Sequence, residues 1–510
     1  MKNFKISIVL FILLNIFNLN TSAQDNIMYN MRRLPQFHKD NVARQPDCKL
    51  YIGIPGISSA FVSAHHSGFT FKDVIVPDPI HTDSFMIDLD GIEAAMSEKN
   101  YLNTTAEFDI LSFGFRLPNS YYFSFGISNK TNMNFQYPRS IVEIRNGNYR
   151  EDGTPLDFTF GYDVTNYMET SFGLSKEFFN NMSVGMRVKL LSGMANVDAR
   201  NIGVQWYTDL DYYDYTFKTD MLIRAATIES FPSVSNLSIT SDSALTDYLD
   251  RMINVVDSSM TERANALSES RIGDAGLGQI LLGRNFGLGF DFGYEYQINK
   301  YFNVSASIND IGFIKWKANT LQAQQNGEFK FTGLDAAEYI SNYYEAENAD
   351  VSLLSEALTD LTDSLTSYSA TAIFSNDAYK TRLTSKLYAG ATFSPVKWFD
   401  LGLLYRGTLY NKSLFSATTL SANTHFMRGW GFSMSYTIMD GLYNNIGAGL
   451  VTKFGPLQFY IMSDNIAPFY WAANDSPRAE EWIRNTKRIT FHTGLNFTIC
   501  GSKKDIPLLE

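Results

Sequence analysis

The most constraining feature of this sequence is a two-residue rhythm that runs from Gly429 to Ile499. Trp430, Phe432, Met434, Tyr436 and Ile438 alternate with Gly431, Ser433, Ser435 and Thr437, and Ile446, Ala448 and Leu450 alternate with Gly447 and Gly449. Leu457, Phe459 and Ile461 repeat the pattern, and Ile489, Phe491, Leu495, Phe497 and Ile499 close it against Thr490, His492, Gly494, Asn496 and Thr498. Neighbouring side chains on a strand point to opposite faces, so each segment is a ribbon, apolar on one side and small or polar on the other.

A soluble β-sandwich also alternates, but its hidden face is branched and aliphatic and interlocks with a second sheet. Here the partner face is Gly, Ser, Thr and Asn, which suits a wet lumen and turns the apolar face to lipid. Segments of about ten residues with this pattern, separated by turns, predict a closed antiparallel outer-membrane β-barrel. Tight turns are expected at Leu117-Pro118-Asn119, Phe179-Asn180-Asn181, Asn299-Lys300, Ser394-Pro395-Val396, His425 to Gly429 and Gly455-Pro456. They divide the chain into strands near 58–73, 105–116, 119–132, 165–177, 181–195, 283–297, 301–316, 384–395, 398–409, 414–425, 429–439, 443–454, 456–466 and 487–499. That is about fourteen strands, with both ends periplasmic; residues 206–223, rich in Tyr and Asp, read as a hairpin rising above the membrane.

Residues 1–23 carry Lys2 and Lys5, an apolar core from Ile6 to Leu14, and Thr21-Ser22-Ala23 before Gln24, the pattern of a secretory signal peptide. Residues 24–57 are polar and proline-punctuated and read as an N-terminal plug-like segment, in the lumen or across the periplasmic mouth, with plain disorder as the open alternative. The barrel is then 58–500 and the periplasmic tail 501–510. The formal net charge of −11, or −13 without the two leader lysines, argues against nucleic acid as partner. The two cysteines, Cys48 and Cys500, flank the barrel, and in a closed barrel the first and last strands are neighbours. A bridge across that seam and two free thiols are both open readings.

Two partly helical extracellular insertions are expected, at 196–282 and 317–383. Leu245, Leu249, Met252 and Val256 in the first, and Leu354, Leu358, Leu361 and Leu365 in the second, lie at the spacing of one helix face. Such faces either pack on each other or cap the barrel mouth, or else dock a partner or gate a ligand.

Strand parity directs Glu169, Arg187, Lys189, Asp291, Glu295, Arg406 and His492 into the lumen, where charges either pair to hold wall and plug together or line a selective passage. Asp291 and Glu295 share their face with Gly289 and Gly293, which leaves room for a ligand or for the N-terminal segment. Trp316, Trp398, Trp430, Tyr436 and Tyr443 fall near strand ends and read as membrane-interface anchors. His65 and His66 face opposite ways, and no metal-ligand spacing or Gly-x-Ser-x-Gly elbow occurs, so neither a metal, a cofactor nor a catalytic site is expected.

The stretch Pro46 to Ser59 leading into Ala60–Phe71 resembles the opening of a family of outer-membrane barrels of the Bacteroidota without assigned function. Gly287-Leu288-Gly289-Phe290-Asp291-Phe292-Gly293, Asn309 to Trp316, Tyr443 to Gly447 and Ser463-Asp464-Asn465-Ile466 are similar as well. The family is related in general plan to FadL-like transporters and to the type IX secretion barrel. The first likeness implies a plugged channel for diffusion of hydrophobic or small amphipathic molecules, with the N-terminal segment as hatch. The second implies a scaffold that presents its loops to an outer-membrane or secretion partner. Either way the resemblance places the chain in the outer membrane of a Gram-negative bacterium, against lipid.

Overall fold

The computed structural model describes residues 26–78, 84–150, 152–179, 181–209, 214–227, 284–331, 373–410, 413–424, 429–439, 442–466 and 486–500. Twenty strands form one antiparallel sheet. It closes on itself because Ala60–His66 pairs with Lys99–Leu117 on one side and with Arg488–Ile499 on the other. The outward face carries the apolar belt: Met434 is 60% exposed, Leu420 55% and Leu403 50%. Their strand neighbours Ser433, Ser421 and Thr419 are buried within. Large apolar side chains turned outward and hydroxyls turned inward invert the pattern of a soluble domain, and lipid is the solvent that makes this favourable.

Sixteen of the strands have seven or more residues, against about fourteen expected. The two additional ones, Tyr215–Ala226 and Thr320–Phe331, pair with each other. Tyr215–Ala226 joins the far half of Met182–Thr208, whose near half pairs with Phe286–Gln297. Thr320–Phe331 likewise continues the line of Phe302–Trp316, so the sixteen strands occupy fourteen positions around the ring and the wall stands taller on this side. The expected insertions are correspondingly shorter than 196–282 and 317–383. Strand character does not stop at residue 196, because Ile202, Val204 and Trp206 still alternate with Gly203, Gln205 and Tyr207, and Tyr215–Ala226 supplies the missing edge partner. The helix-face leucines Leu245, Leu249, Leu354, Leu358, Leu361 and Leu365, with Met252 and Val256, lie outside the described residues.

The connections Leu117–Tyr121, Phe178–Met182, Gln297–Phe302, Val396–Phe399 and Phe454–Leu457 lie at the end where the barrel's first and last strands begin and finish, the periplasmic end in barrels of this plan, while Tyr410 pairs with Ser413 and Met439 with Leu442 across equally short connections at the other end. Leu117 pairs with Tyr121 across a turn in which Asn119 and Ser120 have φ near +60°. Gly455, at φ +60°, lets Phe454 pair with Leu457 across two residues. The barrel begins at Leu50 rather than at residue 58. Its first strand is interrupted at residues 54–59, where Pro55 has no N–H to give and Gly56 takes φ +79°. Hydrogen bonds still close the wall there: Ile54 N to Leu495 O, Gly56 N to Ile110 O and Leu495 N to Ile57 O.

One expected interface anchor is misplaced by parity. Trp316 is fully buried inside, where its indole N–H donates to Thr381 Oγ1 at 2.9 Å. The cause is a bulge opposite Asp291, at which Asp310 takes φ +60° and the pairing register shifts. Ile308 and Ile311 both face out, and beyond them Ile314 and Trp316 turn inward. Trp398, 51% exposed, does lie outside; the side chain of Tyr443 lies outside the described residues.

Candidate functional site: the plugged lumen

Residues 26–44 fill the barrel. Ile27, Met28, Met31, Leu34 and Phe37 are buried against Val451, Tyr460 and Met462 of the wall. Two 3-10 turns, Met28–Asn30 and Pro35–Lys39, let this short segment double back without sheet hydrogen bonds. Its backbone groups are instead met by side chains from the wall, as burial demands. Asp464 accepts from the N–H groups of Asn26 and Ile27 at 3.0–3.1 Å and pairs with the buried Arg488 at 2.9 Å. Arg187 donates to the carbonyls of His38 (2.8 Å) and Lys39 (3.1 Å). Ser183 Oγ donates to Ala43 O at 2.6 Å and Asn309 to Asp40 O at 2.8 Å, while the amides of Gln36 and Asn496 join reciprocally.

The plug approaches the wall so closely that only glycine fits at several points. A Cβ on Gly185 would stand 2.6 Å from Val42 O, and one on Gly293 would stand 2.7 Å from Ala43 N. The room beside Asp291 and Glu295 is therefore taken by the N-terminal segment. Below it, Arg116 donates to Gln45 Oε1 at 2.8 Å and to Pro46 O at 3.0 Å, and Cys48 is disulfide-bonded to Cys500 at the end of the last strand.

Around the plug runs a belt of charge. Asp291 takes Arg187 at 3.0 Å and Lys189 at 2.8 Å; Lys189 also meets Asp310 at 2.5 Å. Glu169 pairs with Lys130 at 2.9 Å, and Lys39 of the plug bridges Glu107 (2.9 Å) and Asp109 (2.7 Å). Glu295 sits lower and holds plug residues Arg32 and Arg44, both at 3.3 Å. His492 lies apart, its Nε2 2.9 Å from Ser59 Oγ and 3.2 Å from the Tyr460 hydroxyl. Arg406 is buried higher up, over the Tyr388 ring. Five of the seven lumen candidates thus meet the plug or the belt around it, while His492 stands beside them and Arg406 above.

Within the plug, His38 Nδ1 donates to Pro35 O, which leaves Nε2 as the acceptor facing the Tyr51 hydroxyl. Burial, and then the Arg187 guanidinium, pushes this imidazole down to about 3, so it is neutral at ordinary pH. Burial alone would lower Lys39, but the carboxylates of Asp109 and Glu107 hold its ammonium above the usual lysine range.

The belt encloses a cavity of about 90 Å³ bordered by Lys39, Glu107, Lys130, Glu169, Lys189 and Lys386. Its walls suit water or a polar group; an apolar molecule would have to displace water from charges that it cannot satisfy. Among the described residues no group of three or more His, Cys, Asp or Glu side chains is arranged to hold a metal.

Glu107, Asp109, Lys130 and Lys386 were legible by the same parity that directs Glu169 and Arg187 inward, yet the sequence reading passed over them. Asp310 was not legible, since parity turns it to lipid and only the bulge brings it in. A charge midway along a strand's apolar face, in Asn309-Asp310-Ile311-Gly312, is the one signal that could have found it.

The chain belongs to a family of unknown function (DUF5723), whose profile matches residues 43–464. No curated protein matches it. Among solved structures, the toluene transporter TbuX of Ralstonia pickettii is 9% identical, the match covering 95% of this chain and 100% of that one with a TM-score of 0.34. A FadL homologue of Pseudomonas aeruginosa is 8% identical, covering 94% and 99%, with a TM-score of 0.39. The translocator domain of the autotransporter NalP of Neisseria meningitidis is 6% identical, covering 92% and 93%, with a TM-score of 0.27. Likeness at this level says nothing of what the present barrel passes or binds.

Proposed function

We propose that this DUF5723 barrel is a plugged channel of a Gram-negative outer membrane, in which residues 26–44 are the gate and small amphipathic or polar molecules diffuse once the gate moves. The observation that carries this reading is a separate, non-sheet segment seated in the lumen on side-chain contacts alone. A segment held in this way can leave without breaking the barrel, whereas a strand cannot. The disulfide between Cys48 and Cys500 leaves the plug hinged at its lower end. Of the hydrophobic and amphipathic permeants considered from the sequence, the charged belt favours those with a polar group.

The test is swelling of proteoliposomes in arabinose, comparing the whole protein with a variant lacking residues 26–44. The intact barrel is expected to swell near background and the shortened one at least tenfold faster. A shortened barrel that folds, judged by its heat-modifiable mobility on gels, and still excludes arabinose refutes the channel.

A second reading, display to a protein partner, is favoured by one surface feature. The small hairpin of Ile75–Pro77 and Phe85–Ile87 belongs to a collar anchored where Ile92 and Met96 pack on Tyr137. Phe85 is 65% exposed and Ile87 64%. A stoichiometric partner recovered from native membranes with the whole protein, and lost with Phe85→Ser and Ile87→Ser together, would favour display over passage.

A further inference from the structure

The hairpin of Ile75–Pro77 and Phe85–Ile87 is a two-stranded sheet of its own, apart from the barrel wall. Met86 and, just beyond the hairpin, Leu89 are each 44% exposed, and they stand beside the still more exposed Phe85 and Ile87. Neighbours on a strand face opposite ways, so both faces of Phe85–Ile87 are apolar and uncovered. A contiguous apolar patch of this kind marks a surface that meets something other than water.

What it meets follows from where the collar hangs. Ile92 and Met96 pack on Tyr137, with Phe135 and Phe160 beside them. On the strand Tyr121–Pro138, Ser124, Ser128 and Lys130 line the belt cavity, and Asn132 and Asn134 line the lumen above it. Parity turns Phe135 and Tyr137 to the opposite face, in one row with Phe123 and Ile127 of the outer surface. The collar is therefore fixed to the outside of the wall, continuous with the lipid-facing belt.

Height agrees with this placement. Tyr121 stands at the periplasmic turn, where it pairs with Leu117, and Tyr137 lies near the far end of the same strand. At about 3.4 Å per residue and a tilt of about 40°, the rise between them is about 40 Å. A bilayer with its headgroups is about 40–45 Å thick, so the collar is anchored at the level of the outer headgroups. The charges of the collar are paired among themselves: Arg139 with Glu98 (2.7 Å) and Glu143 (2.8 Å), and Arg145 with Glu93 (2.8 Å) and Asp90. The backbone of a two-stranded sheet needs polar surroundings, which hold it at the headgroups and out of the hydrocarbon core.

We propose that this hairpin lies at the boundary between headgroups and acyl chains of the outer leaflet, with Phe85 and Ile87 among the chains, as a foot that braces the collar on the membrane. It gives the exposed hairpin a lipid neighbour in place of a protein, and it stands independently of the channel reading.

The test is spin labelling of the whole protein in vesicles of phosphatidylethanolamine and phosphatidylglycerol, with no other protein present. Cys48 and Cys500 are bonded to each other, so an introduced thiol takes the label. Ile87→Cys is compared with Leu420→Cys in the lipid-facing belt and with Lys330→Cys on the tall strand pair, both exposed. The ratio of collisions with oxygen to collisions with a water-soluble nickel chelate is expected to be several-fold higher at position 87 than at 330, and close to that at 420. Folding of each variant is checked by gel mobility, and Phe85→Cys repeats the reading if Ile87→Cys does not fold. A label at position 87 or 85 of the folded protein that meets the nickel chelate as freely as one at 330 overturns the proposal. Shielding of that same label only in native membranes, by a stoichiometric protein, would overturn it too and make the hairpin a protein-docking site.

Discussion

The two halves of the lumen wall hold the same plug by different physics. From Lys99 to Trp316 the inward face carries Glu107, Asp109, Lys130, Glu169, Arg187, Lys189, Asp291 and Asp310, and it grips the plug's carbonyls and Lys39 through charge-assisted bonds. From Ser413 to Ile499 the buried face is mostly hydroxyl and amide, with Arg488 and Asp464 as its ion pair, and the plug lays its apolar side chains on Val451, Tyr460 and Met462. Apolar burial is non-directional and indifferent to proton concentration. Ion pairs are directional and fail when one partner is lost. Apart from Asp464, which takes the N–H groups of Asn26 and Ile27, the hydroxyl-rich half is a bearing surface, and the charged half is the latch.

The largest contrast should come from cutting one contact on each side. Arg187→Leu leaves Asp291 without one cation and the carbonyls of His38 and Lys39 without their donor, and is expected to weaken plug docking by about 3–5 kcal/mol. Leu34→Ala on the other side removes only packing and should weaken it by about 2–4 kcal/mol. Liposome swelling reads both, and a larger effect from Leu34→Ala than from Arg187→Leu would break the comparison.

A smaller effect separates two glycines. Gly185→Ala drives a methyl into the backbone carbonyl of Val42, which cannot yield, and should raise swelling for a docking cost of about 1–3 kcal/mol. Gly449→Ala meets the flexible Met31 thioether at 3.1 Å and should stay within twofold of wild type. Similar swelling for the two would mean that the plug does not bear on the charged half as closely as described.

The smallest expected effect is titration of His38. The docked plug keeps this imidazole neutral down to about 3, whereas the undocked segment would protonate near 6.5. Between those values the undocked state binds the extra proton, so docking is undiminished above 6.5 and weakens as the pH falls below it. One unit below 6.5 the cost is about 1.4 kcal/mol, and swelling should rise correspondingly between pH 7 and 5.5. His38→Gln should flatten that profile, and a profile unchanged by the substitution would assign the acid response to other groups.

The strand sequences from Phe399 to Ile499 were almost fully legible, because four of their five connections are short and the register shift among them, between Thr437 and Met439, falls at the end of its strand. Strands around Asp291 were legible only in part. There the two-residue period predicts Glu169, Arg187, Lys189 and Asp291 as inward, and it fails one strand later, where the bulge at Asp310 reverses which face is which. The extra strand pair, Tyr215–Ala226 with Thr320–Phe331, was only half visible. A hairpin could be read from residues 206–223, but its second neighbour lies more than a hundred positions along the chain.

Alternation by itself determined that this chain makes a closed sheet with a wet interior and an apolar belt, since period two is a local property that each strand carries alone. It also determined most of the charges that face inward. Only the tertiary structure decided what those charges do. Asn26 and Asp464 are separated by 438 positions, and Gln36 and Asn496 by 460, so no local pattern relates them. Ring closure brings them together, because it sets the first strands beside the last and encloses a volume that residues 26–44 are the right size and polarity to fill.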